Sequence, residues 1–420
     1  MREALRGLTV RGRGFLAAGA TATICALVLG QPGLTRIGVL LVVLPLLVAF
    51  VVARSRYRLG LQRSVVPPVV SVGQPARVRV TVSNEGALPA APLLLEEALP
   101  FALGARPRFV VRRLGRRREL EYQVRAELRG RFELGPMTAH VGDPFGLVRV
   151  GRTFSSTAPL IVTPRTVPLD PIALTNARTG RGDNRPRAFA GASAEDVTVR
   201  EYRRGDDLRR VHWRSSARVG ELMVRREEQQ WQARATVVLD NRHAAHRGGG
   251  SSASFETAVS AAASIALHLT ERGYAVRLMT TDGRDLTAWQ RSSLDTPSMA
   301  TLLEALAMVE TMPATGIDVD WVDGPGAGGL IVAVLGGLEG TEAPALRRLR
   351  QQEPAALALL LDVADWSAAA PGQIADPVDG SALLTAQGWR TATLGVGDRI
   401  EVAWRRLAAS LPGVATAGVR

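Results

Sequence analysis

The chain has 420 residues, 46% of them apolar, and its 52 basic against 39 acidic side chains give a formal charge of +13. That length leaves room for two domains beyond any membrane anchor, and the single cysteine, Cys25, excludes a disulfide framework and a cysteine-based metal site. Residues 1–63 carry nine arginines and one acid, a net +8, so only +5 remains for the rest, which argues against a specific nucleic-acid binder.

From Gly14 to Thr35 the chain has no charge, and Ile37 to Ala53 is a second apolar stretch. A bilayer core takes roughly 20 apolar residues as helix, with about 17 as the lower limit, so both qualify as spans. Gln31-Pro-Gly33 separates them, which predicts a transmembrane hairpin over residues 1–63 with residues 14–53 in the lipid bilayer. Arginines flank its outer ends at Arg11, Arg13, Arg54, Arg56 and Arg58, while the connection holds only Arg36. The positive-inside rule then places both ends in the cytoplasm, as a multi-pass cell-membrane protein. A cleaved signal peptide is not expected, because no small-x-small site follows the first stretch.

Pro67-Pro68 reads as a linker, and Ala76 to Gly86 then alternates apolar and polar before an Asn-Glu-Gly turn. Phe109–Val111, Leu120–Val124, Met137–Val141 and Leu160–Val162 continue the pattern, which predicts an all-β sandwich over residues 65–165. The arginines at 112, 113, 116, 117 and 118 fall where two strands turn, and they read as a solvated or headgroup-facing hairpin. No aromatic platform interleaves them, as a nucleic-acid surface would need.

Residues 166–231 form a linker with one dense segment, Arg200 to Arg218. Val197 to Tyr202 reads as a strand, Gly205 as a turn, and Asp206 or Asp207 as the cap of a helix from Leu208 to about Arg218 that Gly220 ends. Arg209 and Trp213 lie four apart, placing an indole beside guanidinium groups. Arg200, Tyr202, Gly205, Asp206, Arg209, Trp213, Ser216, Ala217 and Arg218 resemble the signature of the bacterial proteins containing domain of unknown function 58. Arg129 to Pro136 and Asp143-Pro-Phe-Gly-Leu147 are similar to the segment preceding that signature. Two roles for the signature compete: knitting the linker to the next domain through charge-assisted bonds, with the Trp213 ring buried at the seam, or forming the surface a partner reads. The structural role is the expectation.

Beyond Trp231 the period changes. Strands at Ala235–Asp240, Ala275–Thr280, Leu330–Leu335 and Ala356–Leu361, with helices at Ser254–Thr270 and Ser293–Glu310, predict an α/β parallel sheet over residues 232–420. The order, with Asp240 ending the first strand, resembles a von Willebrand factor type A domain. That resemblance implies a metal site of Asp-x-Ser-x-Ser with a Thr and a further Asp. Here Arg242 and Ala244 replace both serines in Asp240–Ala244, Gly336-Gly337 stands where the Asp would be sought, and Thr281-Asp-Gly283 follows the second strand, the wrong place. The fold is expected and the metal is not. Asp240 is left as a degenerate metal-site position.

His243 and His246 read as exposed histidines on a surface loop running through Arg247-Gly-Gly-Gly-Ser-Ser252. His212 pairs with no nucleophile, and Gly324–Gly329 precedes a strand, whereas phosphate cradling needs a strand before it. Neither a catalytic constellation nor a cofactor site is expected. The chain reads as a membrane-anchored cytoplasmic interaction platform, and the family resemblance implies a MoxR-type AAA+ ATPase as its partner and a role as an accessory or assembly factor. The alternatives are a metal-dependent ligand-binding type A domain and an anionic-lipid or nucleic-acid binder.

Overall fold

The structure is a computed structural model that describes residues 7–54, 59–84, 93–112, 114–143, 145–171, 198–202, 211, 213–226, 234–287, 299–323, 329–352, 355–366, 372–374 and 376–409. Two helices, α1 (Val10–Leu29) and α2 (Pro32–Arg54), pack side by side and are long and apolar enough to cross a membrane. Small residues set their separation. A Cβ on Gly19 would meet the Gly38 carbonyl and Val42, and one on Gly38 would meet Thr23, so the backbones approach closely there. Thr9 caps α1 by accepting from the Gly12 amide, and Gly30 ends it with φ 66°.

Among the described residues, ten strands follow in three sheets, in the orders β1-β3-β6, β2-β10-β7 and β5-β4-β8-β9. They are β1 (Leu59–Val66), β2 (Val69–Ser71), β3 (Pro75–Asn84), β4 (Leu93–Glu97), β5 (Arg108–Val111), β6 (Arg117–Arg125), β7 (Gly130–Leu134), β8 (Met137–Gly142), β9 (Arg149–Phe154) and β10 (Ala158–Thr163). Alternation directs the packing: Ala76, Val78, Val80 and Val82 of β3 are wholly buried, while the arginines between them face outward. Their partners in this core include Leu93, Leu95, Leu134, Met137 and Leu160. Pairing begins at Leu59, which faces Asn84, and Pro67-Pro68 joins two strands instead of forming a linker.

A short antiparallel pair, β11 (Thr198–Glu201) and β12 (Met223–Arg226), flanks helix α3 (Trp213–Val219). The α/β domain then comprises β13 (Arg234–Leu239), α4 (Ser254–Glu271), β14 (Ala275–Thr280), α5 (Met299–Ala307), β15 (Leu330–Leu335), α6 (Ala343–Gln352), β16 (Ala355–Leu361), α7 (Gly380–Ala386), β17 (Arg390–Leu394) and α8 (Ile400–Ala409). Among the described residues its five strands are all parallel, in the order β14-β13-β15-β16-β17. Both faces are covered, which is why the central strands read as unbroken apolar runs. Val237, Leu239, Val332, Val334 and Leu359 pack with Ala262, Ile265 and Trp404 on one face; Val238, Ile331, Ala333 and Leu360 pack with Leu346, Leu349 and Leu384 on the other.

Arg129 ties the sandwich to this domain. Its buried guanidinium donates to the Leu306 carbonyl (3.1 Å) and the Val309 carbonyl (2.5 Å), pairs with Glu256 and stacks 4.9 Å over Phe255. Arg129 opens the Arg129–Pro136 stretch, so the part of the family resemblance that precedes the signature holds a domain seam. Asp143–Leu147 holds another. The Leu147 carbonyl accepts from the Thr9 amide (2.9 Å), and Leu147 and Val148 bury against Ala49, Val48 and Leu44 of the helical hairpin.

Candidate functional site

In an open parallel sheet, ligands bind in the crevice at the carboxyl ends of the strands, where the strand order reverses. Here the reversal lies between β13 and β15, because β14 flanks β13 on one side and the chain then crosses to the other. Asp240 follows β13, Gly336 follows β15 and Thr281 follows β14, so three loops converge on that crevice. A Cβ at Gly336 would strike the Ala245 carbonyl; the loop after β13 lies directly on the Gly-Gly step.

The crevice is filled by Arg242, whose side chain is 1% exposed. Asp240 Oδ1 accepts from the Arg242 amide (3.1 Å), Arg242 Nε (2.9 Å) and Thr281 Oγ1 (3.2 Å), and Oδ2 accepts from Arg242 Nη2 (2.8 Å) and the Gly336 amide (3.1 Å). Arg242 Nη1 donates to Glu342 Oε1, and Glu342 Oε2 accepts from the Glu339 (3.1 Å) and Gly340 (3.0 Å) amides. Burial alone would raise the Asp240 pKa and lower that of Arg242. The bidentate bonds and opposite charges outweigh it, so the carboxyl is held below its usual range and the guanidinium stays charged. A cation sits between two carboxylates, and it is covalently part of the chain. Among the described residues no group of three or more His, Cys, Asp or Glu side chains is arranged to hold a metal ion.

Thr281 belongs to this site, contrary to its placement from sequence. β14 is the immediate neighbour of β13 with Leu239 opposite Thr280, which sets the next residues, Asp240 and Thr281, side by side. His246 is likewise not an exposed loop histidine. It is 3% exposed, Nε2 donates to the Asp240 carbonyl (2.8 Å), and Nδ1 accepts from Ser254 Oγ (3.1 Å), which itself accepts from the Arg247 amide. Burial therefore pushes the His246 pKa below its usual value. Arg247 is also buried, donating to the Ile374 carbonyl at 2.8 Å, whereas His243 is exposed as expected.

The signature behaves differently. Gly205, Asp206 and Arg209 lie outside the described residues, as do Leu208, Arg210 and His212 of the expected helix. The described helix is α3, which starts at Trp213 and buries none of its residues; Gly220, at φ 83°, ends it. Trp213 is 69% exposed, which corrects the expectation of a ring buried at a domain seam. The half-buried side of α3 is that of Ser215 and Ser216, and Trp213 lies off it. Ser216 fastens α3 to β12 by accepting from the Met223 amide (2.8 Å), and the Tyr202 amide donates to the Leu222 carbonyl (2.8 Å). Arg218 is exposed in the last turn, and Arg200 lies on β11, paired with Val224.

A family model described as Protein of unknown function DUF58 matches residues 198–319. This supports the family read from the signature, and the matched stretch contains Asp240, Arg242 and Thr281 but stops short of Glu342. A search among curated proteins finds no match. Among solved structures, a CARDB domain from Pyrococcus furiosus is 17% identical over 25% of this chain and 93% of that one, with a TM-score of 0.19. The DNA glycosylase AlkC of Pseudomonas fluorescens is 13% identical over 31% of this chain and 39% of that one, with a TM-score of 0.18. At these scores the likenesses carry no argument. Glu342 had no signal in sequence: it lies a hundred residues from Arg242 and meets it only because β13 and β15 are adjacent.

Proposed function

We propose that the protein is a membrane-anchored, non-catalytic interaction platform of the family carrying domain of unknown function 58. The observation that carries this reading is the occupied crevice. Where a parallel sheet would take a nucleotide, metal or substrate, Arg242 fills the space and uses the donors and acceptors a ligand would need. What remains exposed is a recognition surface: Trp213 with Arg214 and Arg218 on α3, a residue combination enriched at the centres of protein interfaces. The likeness of the α/β domain to a type A domain, with its metal site replaced by an internal cation, fits the same role.

On this proposal α1 and α2 span the inner membrane with both termini in the cytoplasm, supported by the arginines at their outer ends. The partner is a MoxR-type AAA+ ATPase, as the family resemblance implies, and the task is assembly or maturation of other complexes. Reporter fusions at Ser71 and at the C-terminus are expected to be active only with a cytoplasmic reporter; periplasmic activity overturns the topology. Detergent-purified full chain is expected to co-elute with a MoxR-type ATPase from the same genome in the presence of ATP. Separate elution at micromolar concentrations, with both proteins folded, overturns the partnership.

A further inference from the structure

Strand register places several cationic residues at one end of the sandwich. β1 starts at Leu59, shortly after α2 ends at Arg54; Leu59 pairs with Asn84, and Ser83 pairs with Arg117, so the start of β6 is at the hairpin end. β4 reaches that end at Leu93, opposite both Val141 and Val111, which brings Arg112 there too. Gly142 pairs with Arg149, and the Arg149 amide donates to the Gly7 carbonyl (2.8 Å) at the foot of α1. Arg112, Arg116, Arg118 and Arg149 are all exposed on this rim.

The β8–β9 turn lies on this rim and against the helices. Leu147 and Val148 pack on Ala49, inside the last two turns of α2, and Thr9 Oγ1 donates to the Gly146 carbonyl (2.7 Å). The one acid of the turn is consumed internally: Asp143 accepts from the Phe145 amide (2.8 Å) and the Val148 amide (2.5 Å). Phe145 is thereby held in a fixed turn with its ring 60% exposed, two residues from a contact that lies within an apolar span. An exposed ring at this depth, on a rim that also carries exposed arginines, matches the two chemistries of a bilayer interface: an apolar and aromatic layer beneath anionic phosphates.

We propose that this end of the sandwich is a lipid-binding surface, with Phe145 seated in the interfacial layer of an anionic leaflet and Arg112, Arg116, Arg118 and Arg149 on its phosphates. The docked surface fixes the soluble domains at a set height and orientation above the membrane. The proposal rests on the reading of α1 and α2 as membrane spans, and the test separates the two.

The full chain is labelled with an environment-sensitive fluorophore at native Cys25, or at Phe145→Cys or Phe101→Cys in a Cys25→Ala background. Each is reconstituted in phosphatidylcholine bilayers with and without phosphatidylglycerol, and quenched by doxyl-lipid or by aqueous iodide. Phe101 is the control, a fully exposed ring beyond the opposite end of β4, where Glu97 pairs with Met137. The label at 145 is expected to be quenched by doxyl-lipid and shielded from iodide, and the label at 101 the reverse. Phosphatidylglycerol is expected to strengthen the contrast, and Arg112→Gln/Arg116→Gln/Arg118→Gln to abolish that gain, since each cation near an anionic surface is worth roughly a fivefold change in binding. If Cys25 escapes doxyl-lipid, the spans themselves are wrong. If Cys25 is quenched while position 145 stays open to iodide, this proposal alone is overturned. Equal behaviour with and without phosphatidylglycerol, or shielding of position 145 by an added oligonucleotide in preference to anionic lipid, overturns the headgroup assignment.

Discussion

Two sites that carry arginine in the C-terminal half have opposite fates. At the end of the parallel sheet, Arg242 is enclosed and holds Asp240 and Glu342 with every guanidinium nitrogen bonded; on α3, Trp213 and Arg218 stand in solvent. The difference follows from the neighbours. The crevice lies between doubly covered strands with three loops converging, whereas α3, among the described residues, is fastened to the two-stranded ribbon through Ser216. A dense motif is thus no guide to burial, and a single arginine inside a short loop can be the centre of a core.

The sharpest way to break this comparison is Arg242→Ala. It leaves two buried carboxylates without their cation, and the expected cost is about 3–5 kcal/mol in denaturant unfolding of the full chain. In Arg242→Ser, magnesium or manganese is expected to restore part of the loss, while calorimetric titration of the unmutated protein with magnesium, manganese or calcium is expected to show no specific heat. An Asp240-dependent isotherm in the unmutated protein would show that the guanidinium does not occupy the cation's place.

Arg129→Ala tests whether a seam arginine resembles the first class or the second. Losing two charge-assisted bonds and the Glu256 pair is expected to cost on the order of 3 kcal/mol and to expose the sandwich–α/β junction to limited proteolysis. Stability and cleavage like those of the unmutated chain would remove the seam role.

Trp213→Ala is expected to do the opposite of Arg242→Ala: a stability change within about 0.5 kcal/mol, but a loss of about 2 kcal/mol or more in binding to the proposed ATPase partner. A clear fall in melting temperature would restore the structural role for the signature.

The smallest effect concerns pH. His246 is buried and neutral with its pKa lowered, first by burial, so the unfolded state binds the proton more readily. Its contribution to stability is present above about 6.5 and lost as pH falls through the lower folded value, with a slope of at most about 1.4 kcal/mol per unit. His268 is shifted the same way, also by burial, and Asp240 adds only below its ordinary carboxylate range. His246→Gln is therefore expected to flatten, without abolishing, the loss of stability between pH 6.5 and 5. An unchanged slope would mean that His246 titrates freely.

The sequence by itself determined what depends on local period and composition. Charge-free runs marked α1 and α2, alternation from Ala76 marked β3, and the apolar runs at Ala235, Leu330 and Ala356 marked doubly covered parallel strands, because one- and two-sided burial leave different patterns. It also placed Arg242 and Ala244 where the resemblance to a type A domain implies serines. Three things were decided only by the tertiary structure: that Arg242 itself becomes the cation, that Thr281 and Glu342 join it, and that His246 is buried while Trp213 is not. Each is set by which strands are neighbours in the sheet and how thickly a segment is covered. A one-dimensional pattern carries neither, since residues 40 to 100 positions apart meet only after the crossovers have closed.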